Sequence, residues 1–237
     1  MGLVVEGASD RIYVAAVIAW LARLAKQVNS ALLPCKLQQA SGKHLSGYVK
    51  AIRILQHTGC GAVIVLRDSD FKNCGPEEKR RVAQHLRQKC PGINISVSVA
   101  EPEIEAWILA DAECIHNACR SHYAPGATGW SDNATTRARR RDAKERLRHI
   151  LAGSQKYAAR FRTVPPTEIE MAEIFSAHFN IARAANFNPS ALHFLCNLIR
   201  HLCPHNRQQA VCQKTVQIYN LHRNPVFRRW FNGGSVP

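Results

Sequence analysis

The chain has 237 residues, 46% of them hydrophobic, enough for one substantial core with an appended helical part. A formal charge of +15 and a pI near 9.8 favour polyanionic partners, and nine irregularly spaced cysteines without a CxxC pair argue against a disulfide-stapled scaffold. The most apolar stretch, Ile12 to Ala25, is too short to span a bilayer and is bracketed by Arg11, Arg23 and Lys26, so a membrane protein is excluded and a cytoplasmic one expected.

Gly2 to Val5 is a short apolar run that ends at Glu6-Gly7. From Ser9 or Asp10, either of which can cap a helix, apolar positions fall at helical spacing through Val28. Residues 32–38 form a weaker strand candidate, and a second helical pattern runs from Leu45 to Gln56. Ala62 to Leu66 is a continuous, largely β-branched strand that leads into Arg67-Asp68-Ser69-Asp70. Pro76 opens a third helix, with Glu77 and Glu78 in its first turn and Arg87 and Lys89 in its last, as the helix dipole favours. Ile93 to Val99 is the fourth strand. Beyond Pro102 the expected helices are 102–111, 138–152, about 167–184 and 190–202, with a loop over 121–136. The last thirty residues carry no clear pattern.

Alternating strands and helices predict an α/β fold, with a mainly parallel sheet of about four strands flanked by helices and followed by a helical C-terminal region. The boundary is placed at residue 112, giving a core over 1–112 and a basic helical region over 113–237 packed on it. The charge is uneven across that boundary. Residues 1–112 hold 14 lysines and arginines against 10 acids, whereas residues 113–237 hold 18 against 7.

Three of the four expected strands end in acids: Glu6 with Asp10 a turn later, Asp68 with Asp70, and Glu101, Glu103 and Glu105 after the fourth. Open parallel sheets bind ligands outside the carboxyl ends of their strands. Several carboxylates gathered there repel one another unless cations neutralise them, and hard oxygen ligands select Mg2+ or Mn2+, here two ions. Such a centre suits phosphodiester hydrolysis. Each acid also has a plain structural role available. Asp10 can be a helix cap, and Glu103 and Glu105 fit the first turn of a helix.

The segments Val4-Val5-Glu6-Gly7-Ala8-Ser9-Asp10 and Val65-Leu66-Arg67-Asp68-Ser69-Asp70 resemble the signature of the Toprim domain. That domain occurs in topoisomerases, primases, small ribosomal-RNA maturation nucleases and overcoming-lysogenization-defect (OLD) nucleases. Glu103-Ile104-Glu105-Ala106-Trp107-Ile108-Leu109-Ala110-Asp111 is similar to the Glu-x-Glu-Ala-Trp motif of a compact Toprim-like bacterial family. Asp142-Ala143-Lys144, and Asn188-Pro189-Ser190-Ala191 followed by Phe194, look like that family's helical half. The resemblance spans roughly residues 1–200. It implies a magnesium-dependent nuclease, the effector of an anti-phage defence system that acts with an ABC- or OLD-type ATPase. Glu6 would be an acid/base or a ligand, Asp68, Asp70, Glu103 and Glu105 would be ligands, and Asp10 matches an acid of the OLD group.

In the basic half, Arg137, Arg141, Lys144 and Arg148 share a face if 138–152 is helical, a stripe suited to a phosphate backbone or to ion pairs with Asp142 and Glu145. Lys43 is a weaker phosphate-binding candidate, since Ser41-Gly42-Lys43 lacks the spacing of a P-loop. Cys196, His201, Cys203, His205 and Cys212 match no common zinc spacing, and buried free thiols are the expectation. Trp20 and Trp107 belong on apolar helix faces. The alternative to a nuclease is a non-catalytic nucleic-acid or protein-binding module on the same fold. A phosphatase fits less well, because its Asp-x-Asp begins on the first strand. The chain is too short for a topoisomerase. Nucleic acid is the expected partner, and self-association into a homo-oligomer stays open.

Overall fold

A computed structural model of the chain describes residues 1–69, 75–119 and 141–219, and helices are numbered within those residues. β1 (Gly2–Val5), α1 (Ala8–Lys26), β2 (Lys36–Gln39), α2 (Leu45–His57), β3 (Ala62–Asp68), α3 (Gly75–Lys89) and β4 (Asn94–Ala100) alternate in chain order. The four strands form one parallel sheet in the order β2-β1-β3-β4. Its register sets Val4 beside Val65 and Asp68 beside Ala100. The chain steps outward from β1 to β2 and then returns past β1 to β3. The crevice between the carboxyl ends of β1 and β3 is therefore the topological switch point, where ligands bind in open α/β sheets.

Alternation of side chains divides the core between the two faces of the sheet. Val4, Val63, Val65, Val97 and Val99 pack with Tyr48, Ile52, Val82 and Leu86 of α2 and α3. Leu3, Val5, Ile64 and Leu66 pack with α1 and with the helices that follow the sheet. Those helices are α4 (Ile104–Ala110), α5 (Ala112–Cys119), α6 (Ala143–Gly153), α7 (Ala158–Phe161), α8 (Glu168–Ser176), α9 (Ile181–Ala185), α10 (Pro189–Leu202) and α11 (His205–Tyr219). Trp107 is 1% exposed and stacks on Phe194, and Trp20 donates its indole N–H to the Tyr219 hydroxyl at 3.2 Å, so both tryptophans are core residues.

The fold class agrees with expectation, and the differences are local. The first helix is capped at Gly7, because Asp10 accepts the Gly7 amide from the third helical position. The weak second strand falls at 36–39, later than expected. A single helix over 167–184 is replaced by α8 and α9. The break at Asn180 is held from both sides, since its side chain caps α9 and its amide donates to Asp111. Within the described residues the basic helix starts at Ala143, after a turn at Arg141 and Asp142, so Arg141 precedes the helix and shares no helical stripe with Lys144 and Arg148. Arg137, like Asp70, lies outside the described residues. Among the described residues no helix is long and apolar enough to cross a membrane.

Candidate metal centre

Asp68 is the last residue of β3, Glu103 is the N-cap residue of α4, and Glu105 lies in the first turn of that helix. One carboxylate oxygen from each lies within 4.8 Å of the others. Among the described residues this is the one group of three or more histidines, cysteines or acids placed to share a metal ion. At such separations, and at an effective dielectric of about 20, each ionised pair repels by about 3–4 kcal/mol.

The protein's own donors compensate only part of this. Asp68 Oδ1 accepts the Ile104 amide at 3.3 Å, and Glu103 Oε1 accepts the Lys144 amide at 3.1 Å. Glu105 is 2% exposed, and its Oε1 stands 3.9 Å from Lys144 Nζ. Its Oε2 is buried and has no hydrogen-bond partner among the described residues. Lys144 is also shared with Glu168 at 3.1 Å. Burial acts to lower the Lys144 ammonium, but Glu105, Glu168 and Glu103 outweigh it and hold it above its usual range.

The carboxyls respond as crowded acids do. Burial, then Asp10, Glu105, Glu6 and Glu103, push Asp68 well above the usual carboxylate range. Burial also drives Glu105 up to about 7, with Lys144 opposing and Glu103 and Asp10 reinforcing. Glu103 is raised by burial against the Lys144 amide. Asp10 is raised by burial and by Glu6, with the Gly7 amide opposing. Glu6, Asp10, Asp68, Glu103 and Glu105 thus influence one another around the switch point.

Glu6 serves a different set of partners. Its Oε2 accepts the Tyr48 hydroxyl at 2.9 Å, and Lys43 Nζ stands 3.5 Å from its Oε1. Lys43 arrives on a loop folded tightly against α2. A Cβ on Gly47 would sit 2.6 Å from the Ser41 carbonyl oxygen, so only glycine lets that loop approach. Asp10 combines its capping role with membership of the acidic group.

Of the residues expected to bind phosphate, Lys43 lies beside Glu6, and Lys144 points into the carboxylates. Arg148 pairs with Glu145 and, at 3.9 Å, with Glu168. The stripe Arg137–Arg141–Lys144–Arg148 therefore takes the ion-paired form at its helical end. Arg67, immediately before Asp68, is buried beneath the Tyr48 ring and lies 3.4 Å from Glu78. Cys196, Cys203 and Cys212 are buried thiols, and His201 bonds the Ser96 hydroxyl at 3.0 Å.

Sequence reasoning missed Tyr48, Glu168 and a latch beneath the centre. Ser190 Oγ accepts the Glu101 amide and the Trp107 indole N–H, each at 2.9 Å, and donates to Asn188 Oδ1 at 2.6 Å. Asn188 Nδ2 in turn donates to the Glu101 carbonyl at 2.8 Å. The Asn-Pro-Ser segment at the start of α10 thereby fixes the chain on both sides of Glu103 and Glu105. A helix-capping Asn before Pro was readable in the sequence. Its second use was not.

No protein-family model, curated protein or solved structure matches this chain.

The centre passes a test of fit for a hard divalent cation. All three converging donors are carboxylate oxygens, with no nitrogen or sulfur among them, and one oxygen, Glu105 Oε2, is desolvated without a partner among the described residues. Such an atom costs about 1–3 kcal/mol, and more when charged, unless a cation meets it.

Proposed function

We propose that this chain is a metal-dependent nuclease, in which Asp68, Glu103 and Glu105 hold Mg2+ or Mn2+ for cleavage of phosphodiester bonds in DNA or RNA. The observation that carries this reading is the partnerless Glu105 Oε2 inside a carboxylate triad at the switch point of a parallel sheet. The order of the Toprim-like motifs along the chain supports the same reading. Asp70 completes the expected ligand set but lies outside the described residues, so the described geometry speaks for one ion, and a second would draw on Glu6, Asp10 and Asp70.

A bound ion supplies charge for the phosphate oxygens and lowers the pKa of water. The remaining roles fall to the protein. Glu6 stands at the neighbouring strand end, with Tyr48 donating to one oxygen and Lys43 beside the other. That arrangement holds its carboxylate in place to accept the proton of an attacking water. Lys43 is 75% exposed, so it can exchange its ion pair with Glu6 for a phosphate at little cost. The Ser190 latch keeps Glu103 and Glu105 in register with Asp68.

As the Toprim-like resemblance suggests, the nuclease acts as a defence effector together with an ABC- or OLD-type ATPase. The test is cleavage of plasmid, single-stranded DNA and transfer RNA with each metal, with and without such an ATPase. Cleavage that needs Mg2+ or Mn2+ and disappears in Asp68→Asn and Glu105→Gln supports the reading. Nucleic-acid binding without cleavage, indifferent to chelator and to both substitutions, leaves the non-catalytic module in its place.

A further inference from the structure

β4 is the outer strand of the sheet among the described residues, and its outer side floors a cleft of about 750 Å3 between α3 and α10. Lys79, Arg80 and Arg87 line it from α3, His193 lines it from α10, and Ser98 and Glu101 come from β4 and its exit. On α3, Pro76, Lys79 or Arg80, Ala83 and Arg87 recur at three- and four-residue steps and so share one face. Along α10, His193, Asn197 and Arg200 follow the same spacing. Asn197 donates to the Ser98 hydroxyl at 2.9 Å, which seats this face against the strand. Arg200 approaches Lys79 closely enough that, after burial, it helps lower the Lys79 ammonium. Lys79, Arg80 and Arg200 pair with no carboxylate among the described residues, in contrast to Lys144, Arg148, Arg160 and Arg183, which all do. The one acid of the lining, Glu101, sits at the mouth where β4 leads to Glu103, one residue beyond the Ala100 that is in register with Asp68.

We propose that this cleft binds one nucleic-acid strand by its phosphates and leads it to the carboxylate centre. The path to the centre rests on the nuclease reading, whereas the binding does not. Like charges held together without counter-ions suit a partner that brings the opposite charge and releases its own condensed cations. An extended peptide adding to the edge of β4 fits less well, because Arg87 Nη2 already donates to the Ile95 carbonyl of that strand at 3.1 Å. The basic cluster escaped sequence reading because its members come from two helices more than a hundred residues apart.

Fluorescence anisotropy of a labelled single-stranded oligonucleotide with the full chain in EDTA, where no cleavage occurs, tests the assignment. The triple reversal Lys79→Glu, Arg80→Glu and Arg200→Glu should weaken binding by at least roughly tenfold and flatten the dependence of log K on log salt by about 0.7 for each phosphate of the single strand no longer neutralised. The milder pair Lys79→Gln and Arg200→Gln should move binding in the same direction with the melting temperature retained, which separates weaker phosphate binding from misfolding. A control reversal of the same charge at Arg23, Lys26 and Lys50 should stay within about threefold at moderate salt, where distant charges are screened. Equal losses in the groove and control variants overturn the proposal, leaving the cations as guards of a sheet edge. Competition by poly-glutamate as effective as by oligonucleotide overturns it in favour of an acidic protein partner. Failure of the nuclease reading looks different. If Asp68→Asn binds normally and the wild type cleaves nothing with any metal, the cleft stands and the nuclease falls. Undiminished cleavage at unchanged KM in the groove reversal removes the cleft and leaves the nuclease.

Discussion

Helix α4 carries a buried acid near each end, and the two are treated in opposite ways. Asp111, just past its C-terminus, accepts four hydrogen bonds: from the Asn180 and Cys114 amides at 2.9 and 3.1 Å, and from Arg183 Nε and Nη2 at 2.6 and 3.0 Å. Glu105, in the first turn, has one oxygen with no partner among the described residues and another 3.9 Å from a lysine shared with Glu168. Burial pushes both carboxyls up. At Asp111, Arg183 and the two amides oppose it, whereas at Glu105 only Lys144 opposes it strongly and neighbouring Glu103 and Asp10 add to it. Burial of an acid is therefore no mark of function. What distinguishes the Glu105 end is burial compensated only in part, by a lysine shared with Glu168, which the native fold tolerates where a ligand completes the site.

The contrast is most exposed to a substitution at its compensated end. Arg183→Ala leaves Asp111 buried and under-paired and should cost about 3–5 kcal/mol in urea unfolding. Under chelator, Glu105→Gln removes repulsion and should cost far less or stabilise. A comparable loss from both would break the comparison.

The second expectation concerns pH in the metal-free protein. Glu105 titrates at about 7 when folded, against an ordinary value of 4.5, so the unfolded chain releases this proton first. Its contribution is full at acidic pH and is lost as pH rises from about 4.5 to 7, a decline on the order of 3 kcal/mol. Urea midpoints in EDTA between pH 4.5 and 8 should fall accordingly, and Glu105→Gln should flatten the profile. A wild-type profile that rises over that window would contradict the assignment.

Third, Mg2+ or Mn2+ at about a hundred times its dissociation constant should stabilise the protein by about 2.7 kcal/mol. Differential scanning calorimetry should show this shift in the wild type and lose it in Asp68→Asn, with Arg183 variants retaining it at lower temperature. The smallest effect belongs to Tyr48→Phe, which deletes one hydrogen bond to Glu6 and should cost about 1 kcal/mol while leaving metal-induced stabilisation intact.

Much of the frame was legible because it rests on local chemistry. The β-branched run at 62–66 and the apolar run at 2–5 could only be buried strands, and the acids that follow them were visible as strand-end residues. Pro102 and the acids after it announced the start of α4 to within two residues. Legibility failed where two distant segments meet. Arg67 gave no sign of its role in the sequence and is held by Glu78 and Tyr48 from separate helices. The helix expected over 167–184 breaks because Asp111, nearly seventy residues earlier, takes the Asn180 amide. Lys144 reads as one cation of a basic stripe until α6 packs against α4 and turns it toward Glu105.

The sequence by itself determined the order of strands and helices, the parallel sheet that this order demands, and which acids stand at strand ends. Periodicity, caps and strand-ending residues act within a few positions of one another, and the right-handed crossover rule extends them to a topology. Only the tertiary structure decided which of those acids converge, which are compensated and which cations remain unpaired along β4. Those outcomes depend on distances of a few ångströms between segments far apart in the chain, and the electrostatic interactions that make a site change over the same few ångströms.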